Sequence, residues 1–557
     1  VKGSRRRSRS LAAVSLSVLF AVLVAGAAAT SGASRKFYDD DPLRREPETE
    51  DASGAKAWDI DLALDLIVNL FGRPGDAVLN QRAGNLTTVD EVADSSWFTN
   101  RILARPLPIE EAVRGPLTRD GPAPGRWSVA HPKRSGVAPG FTMLDARGEQ
   151  WFVSFDGRGF PEAATGAVLV ANKIFWALGY WQIENHLIAV RPEQLTIEPT
   201  ATVVPPSGKP RPMRRSDLDE VFRRAERSAD GSYRAVAGRA VPGRPLGGFY
   251  YHGTRPDDPN DLVPHEHRRE LRALKVFGAW TNLVDMKAGN TLDTVLDEAG
   301  RKVVRHYLQD VGSTFGTGAV APREYDEGWE YLADIDLAVR RLGRFGFYFP
   351  PWLTARYEEH PAVGRFEGTT FDPHAWKPRV PTAAFRHARP DDDFWAARRV
   401  MAFSDELIRA LVRTGRYSDP AAERILADVL IARRDRIGRA FLPAVNPLVG
   451  FALDAGGRLT FENAAVAAGV AKPPAGGYRL AWSRFDNATG GTTAIGSSQT
   501  ASTESRAPSG LPAEAGTFVK VQVRAEDPAM PAWATPVDVY FRRSAGGWTL
   551  VGLERLP

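Results

Sequence analysis

The sequence predicts an α+β protein, and three observations carry that reading. Two stretches, "DDDFWAARRVMAFSDELIRALVRTG" and "DPAAERILADVLIARRDRIGRAFL", repeat apolar residues at helical spacing. Near the C-terminus, "TFVKVQVRA", "PVDVYFRR" and "WTLVGLERL" alternate as antiparallel strands do. Between residues 141 and 310, strand-like and helix-like stretches are interleaved. At 557 residues the chain is too long for one compact core, and two to four domains are expected.

The elements follow in order. Residues 1–29 pair a basic "KGSRRRSRS" with an apolar run ending in small residues, the pattern of a signal peptide or an N-terminal anchor. Either places the body outside the cytoplasm, periplasmic or extracellular. Residues 30–57 are polar and acid-rich and read as a disordered, exposed linker. Residues 58–129 are mixed, with one short helix in "WDIDLALDLIVNLF". "FTMLDARGEQWFVSFD" reads as two strands joined at Ala146-Arg147-Gly148, and "TGAVLVANKIFWALGY" as a helix from Thr165 ended by Gly179. "HLIAV" and "SYRAVAGRAV" read as strands, with the short helix "DLDEVFRRAERS" between them. "PHEHRRELRALKVFGAWTNL" reads as one long helix with Leu271, Leu274, Phe277 and Ala279 inward. "TLDTVLDEAGRKVVRHYLQD" reads as a hairpin turning at Glu298-Ala299-Gly300. Asp419 is the expected N-cap of the last long helix, with Pro420 in its first turn. After the "KPPAGG" linker a small β-domain is expected over 473–557, with "TGGTTAIGSSQTASTES" as a polar loop inside it.

Composition narrows the function. The chain has no cysteine, which excludes disulfides, Cys-ligated zinc, iron–sulfur clusters and a Cys nucleophile. The net charge of +5 is supplied by Lys2, Arg5, Arg6, Arg7 and Arg9, so the remainder is neutral and no nucleic-acid partner is expected. No G-x-S-x-G, G-x-G-x-x-G or G-x-x-x-x-G-K-[ST] pattern occurs, which leaves hydrolase-elbow, dinucleotide and P-loop readings without support.

The chemistry-bearing pattern is "DMKAGN" followed by "HYLQDVG". Asp285 and Asn290 are five apart, and the hairpin between Thr291 and Gln309 would bring Asp310 back beside them. Phosphoryl transfer needs a group at the acceptor hydroxyl, hard oxygen ligands for Mg²⁺ and donors over the phosphates. Asp285 suits the first task; Asn290 and Asp310 suit the second. Turn chemistry is the competing explanation, since Asp and Asn favour hairpin corners.

The order D-x-x-x-x-N, hairpin, "HYLQDVG" resembles the phosphatidylinositol kinases and the HipA-type bacterial kinases. The resemblance covers about residues 130–320. It implies a two-lobed, atypical kinase-like core within 130–450 including a helical extension, a phosphate loop at "KRSGVAPGF", and Mg²⁺ and ATP as cofactors. It implies a phosphotransferase with Asp285 as catalytic base and Asn290 and Asp310 on the metal; the acceptor is unknown. The chain departs from it in two places: Ser154 stands where the nucleotide-binding lysine is expected, and Val168 where an acidic partner is expected, with Glu162 just upstream. Lys133, Arg134 or Lys173 would then have to supply the nucleotide-binding cation. Without a substitute the chain is a pseudokinase scaffold, an envelope or extracellular binding protein whose C-terminal β-domain engages a partner.

Other clusters have plainer readings. "HEHRRE" places His265 and His267 on different faces, against a zinc site. Asp257, Asp258 and Asp261 suit caps and turns, and His306 a strand position with a neighbouring partner. "RPDDDF" suits a helix N-terminus, and the aromatic "FGFYFPPW" core or domain packing.

Overall fold

The computed structural model describes residues 35–133, 136–205, 208–344 and 349–555. The leader or anchor, Arg134 and the first half of "FGFYFPPW" lie outside the described residues. The fold is α+β, as the two periodicities predict.

A six-stranded sheet is built around β1 (Trp127–Pro132), β2 (Gly140–Leu144) and β3 (Gln150–Phe155). The tight Asp145–Glu149 turn closes β2 onto β3, with the Gly148 N–H donating to Asp145 O at 2.9 Å. The helix α1 (Ala163–Leu178) follows, ended by Gly179 at φ 128°, a conformation that favours glycine. The strands β4 (Asn185–Val190) and β5 (Tyr233–Arg239) extend the sheet past β3, and the helix α2 (Arg215–Arg224) covers one face. Trp151, Val153 and Phe155 of β3 share a core with Leu218 and Phe222 of α2. Strand alternation therefore turns Phe152 and Ser154 to the other face.

On that other face Phe152 is exposed, and a second, larger core lies apart from these strands. It joins one face of α1 to α3 (Leu274–Thr281), α4 (Pro390–Met401), α5 (Asp405–Arg413) and α6 (Pro420–Phe441). Asp419 caps α6 through the Ala421 N–H, with Pro420 at its first position. The same core continues without a break into the C-terminal strands through Trp533, Val521 and Val539. The β-rich segment begins at Leu448–Leu453, ahead of the "KPPAGG" stretch. Asn446 Nδ2 donates to Thr535 O at 2.8 Å and Trp533 Nε1 to Pro443 O at 3.2 Å, tying this segment to the end of α6.

Four expectations are corrected. Residues 35–57 are mostly exposed, but they are pinned to the fold and are no free linker. Phe37 is buried among Phe485, Phe518 and Tyr540, a burial worth about 2–3 kcal/mol, and Glu46 pairs with Arg268 at 3.2 Å. "PHEHRRELRALKVFGAWTNL" is not one helix: a 3₁₀ turn at His265–His267 and a short Arg269–Arg272 helix precede α3, with Arg268 extended at φ −86°, ψ 122°. The break lets Arg268, Arg269 and Arg272 reach carboxylates on different sides. "TGGTTAIGSSQTASTES" is no loop: Thr492–Thr500 is the edge strand of a five-stranded sheet. The acids of "RPDDDF" do more than meet the helix dipole: Asp391 and Asp392 are fully buried and paired with Arg269.

Candidate functional site

The α3 helix ends at Asn282, whose left-handed φ of 55° turns the chain out of the core after buried Leu283 and Val284. Asp285 opens a five-residue loop that folds back through a 3₁₀ turn at Ala288–Asn290. Asn290 Nδ2 donates to the Asp285 carbonyl at 2.7 Å, and the Asn290 N–H to Lys287 O at 3.0 Å. The hairpin β6 (Leu292–Glu298) and β7 (Arg301–Tyr307) then runs out and back in unbroken register from Leu292↔Tyr307 to Glu298↔Arg301. Its turn is Ala299-Gly300, with φ 54° and 84°. Register returns the chain to its starting point, where the Asp310 N–H donates to Asn290 O at 3.0 Å. Two short hydrogen bonds to main-chain carbonyls thus place Asp285, Asn290 and Asp310 next to one another.

What each side chain does with its oxygens matters most. Asp285 Oδ2 holds Lys287 Nζ at 3.0 Å, and Asp310 Oδ1 accepts the Gly312 N–H at 3.0 Å. Asn290 uses its amide nitrogen locally, and among the described residues its Oδ1 has no donor. Among the described residues Asp285 Oδ1 and Asp310 Oδ2 also accept no hydrogen bond. Asp310 is exposed, and Asp285 and Asn290 are half-buried. Two carboxylates and one amide therefore each offer one oxygen, a hard donor set suited to Mg²⁺. Among the described residues no group of three or more His, Asp or Glu converges as a metal site, so this mixed set carries the metal reading alone.

The three cations proposed for the nucleotide separate cleanly. Lys133 Nζ lies 3.4 Å from Ser154 Oγ, which brings an ammonium from the β1–β2 loop to the strand position where the sequence resemblance implies a lysine. Arg134 lies outside the described residues. Lys173 is not brought to the set. Val168 is the α1 residue that meets the loop, its Cγ2 2.7 Å from a Cβ built on Gly312. Lys173, five residues on, is rotated from it by about 140° and packs on Gly115 instead. Glu162 is no partner for Lys133: its Oε2 accepts the Ser418 N–H at 2.8 Å.

Two residues escaped sequence reasoning. Lys287 stands two positions after Asp285, and that spacing was a readable signal. Asp65, on the N-terminal helix Leu62–Ile67, accepts from the Ala288 N–H and from Asn69 Nδ2, and burial raises its pKa. No local pattern connects Asp65 to the loop it braces. The other clusters are internal structure: His306 pairs with Asp293 at 2.7 Å and stacks on Trp97, and His265 pairs with Asp261 at 2.8 Å.

The segment after Asp310 is pinned by backbone contact. A Cβ on Gly364 would lie 2.1 Å from the Gly316 carbonyl, and Gly316 itself has φ 66°. Gly364→Ala is expected to cost about 1–3 kcal/mol or more, because backbone cannot step aside as a side chain can. Gly343→Ala, with open space around its Cβ, is the control and should leave the melting temperature almost unchanged. Equal melting of the two variants would show that this contact does not hold the segment.

Compared with protein-family models, with curated proteins and with solved structures, the chain gives no match, so its functional reading rests on the oxygen set itself.

Proposed function

We propose that the chain is a kinase-like, Mg-nucleotide-dependent phosphotransferase acting on an unknown acceptor, with ATP as the nucleotide. The two cores serve as two lobes, one presenting the β1–β2 loop and the other the Asp285 loop. The observation that carries the reading is the set of three oxygens left without protein donors on Asp285, Asn290 and Asp310. Asn290 Oδ1 and Asp310 Oδ2 would hold Mg²⁺, which when bound neutralises charge on the transferring phosphoryl group. Asp285 Oδ1 orients the acceptor hydroxyl and takes its proton. Lys133 faces the phosphates from above Ser154, and Lys287 adds a second positive charge beside the base.

A non-catalytic binding scaffold is the second reading. It is favoured by Val168 sitting where an acidic partner would fix a phosphate-binding lysine. In that case the partner is a protein or the cell envelope, engaged through the C-terminal strands.

The test is the melting temperature of the full chain with ATP, with and without Mg²⁺. At a ligand concentration a hundredfold over Kd, binding adds about 2.7 kcal/mol, which is several degrees. The shift should need Mg²⁺, vanish in Asp310→Ala, and shrink in Lys133→Met. No shift in the wild type, or an equal shift in Asp310→Ala, removes the proposal. Binding without phosphate transfer selects the scaffold.

A further inference from the structure

Among the described residues, twenty large hydrophobic side chains are exposed, and twelve of them fall in just two segments, 62–79 and 332–353. In the first, the helix Leu62–Ile67 and the turn after it are packed inside out: the acidic Asp65 is buried while Leu64, Ile67 and Phe71 face solvent. In the second, the helix Ile335–Gly343 buries Leu337 and presents Ile335, Val339 and Leu342 at i, i+4 and i+7, one continuous outward face. Leu342 is 79% exposed. Surface helices of soluble proteins turn such faces inward, and contiguous exposed apolar area marks an interaction site.

The two segments flank the Asp285 loop. Leu62 Cδ2 lies 3.0 Å from a Cβ built on Gly289, inside that loop. On the other flank the Leu332 N–H donates to Arg379 O at 2.8 Å, and the Arg379 N–H to Val284 O at 2.9 Å. Arg386 bridges them: Nη1 donates to Asn69 O at 3.1 Å, and its charge is close enough to couple to Tyr331.

We infer that this paired apolar surface docks on a lipid bilayer, setting the Asp285 loop against the membrane face. Two further features choose a bilayer over a protein. Residues 330–356 carry four arginines against Glu330, Asp334 and Asp336. Arg341 pairs with Glu330 at 2.7 Å and Asp334 with Lys377 at 2.6 Å, and the balance that remains is positive, complementary to anionic headgroups. Residues 11–29 of the same chain are an apolar run. Among the described residues no helix is long and apolar enough to cross a membrane, so the contact is interfacial. The inference holds whether or not the loop binds nucleotide.

Because the chain has no cysteine, single labels can be placed at will. Leu342→Cys, Ile67→Cys and, as a distant exposed control, Thr493→Cys would each carry a polarity-sensitive fluorophore in the full chain. On vesicles of phosphatidylcholine with a minority of phosphatidylglycerol, iodide quenching should fall severalfold at 342 and 67 and stay unchanged at 493. An N-terminal tether alone brings all three sites near the vesicle without burying any. Adding Val339→Asp to the Leu342→Cys chain should restore quenching. Equal quenching at 342 and 493 on vesicles overturns the inference. Protection at 342 that appears without vesicles and grows with protein concentration also overturns it, by assigning the surface to a second copy.

Discussion

Replacing Arg269 with Met is expected to destabilise the protein by about 3–5 kcal/mol, a large share of the roughly 5–15 kcal/mol that holds a typical domain. Arg269 is fully buried, and its guanidinium reaches Asp90 at 3.0 Å, Asp391 at 2.9 Å and Asp392 at 2.9 Å. Burial alone would lower its pKa, but the three carboxylates outweigh that and the net shift is upward. Removing the cation leaves buried acids held by Arg82, Arg555, Arg389 and Arg272. Urea denaturation reads the loss directly, and Arg269→Lys should recover part of it by restoring charge without the planar fork. A wild-type midpoint in Arg269→Met would mean the network is energetically idle.

Lys173→Met should do the opposite and stabilise the protein at pH 7, by up to about 3 kcal/mol. Lys173 is as deeply buried as a core residue, yet no carboxylate among the described residues pairs with it. Burial pushes its pKa down to about 8, and Arg416 adds in the same direction. The sign follows from proton counts. Below about pH 8 the folded and unfolded chains both carry the proton, and the folded chain bears the full desolvation penalty. Between about 8 and the unfolded value near 10.4 the unfolded chain binds more protons, so stability rises with pH. The variant lacks that rise, and the stability difference between the two proteins should close across this window. A destabilised Lys173→Met at pH 7, or a difference independent of pH, would sink the argument. The two buried cations thus test one principle from both sides: a desolvated charge stabilises or destabilises according to what faces it.

How much of this could be read in the sequence divides along range. The Asp285–Asn290 loop and the hairpin to Asp310 were legible because each step is local. A five-residue turn closes on its own carbonyl, and an in-register hairpin returns its end to its start. The break before α3 was not legible. Apolar spacing there is helical, but Arg268 leaves the helix to reach Glu46 and Asp261, which lie far off in sequence or across a turn. The strand Thr492–Thr500 was hidden by its own composition: it lies at a sheet edge, exposed along much of its length, so the apolar–polar alternation of a half-buried strand never develops. Residues 35–57 looked disordered because their anchors are few and scattered: Phe37 packs on the C-terminal strands, Glu46 pairs with Arg268, and Ala52 and Ala55 pack on Leu246, Val295 and Val304.

The amino-acid order by itself determined the α+β class, the cysteine-free chemistry and the hairpin that returns Asp310 to Asn290, since these depend on periodicity, composition and short-range hydrogen bonds. Only tertiary structure decided that Lys133 and not Lys173 stands over Ser154, and that the apolar faces of Leu62–Ile67 and Ile335–Gly343 point outward. A helix pattern states that one face differs from another. Which face is buried depends on the segments that arrive from elsewhere in the chain, and no local spacing encodes their arrival.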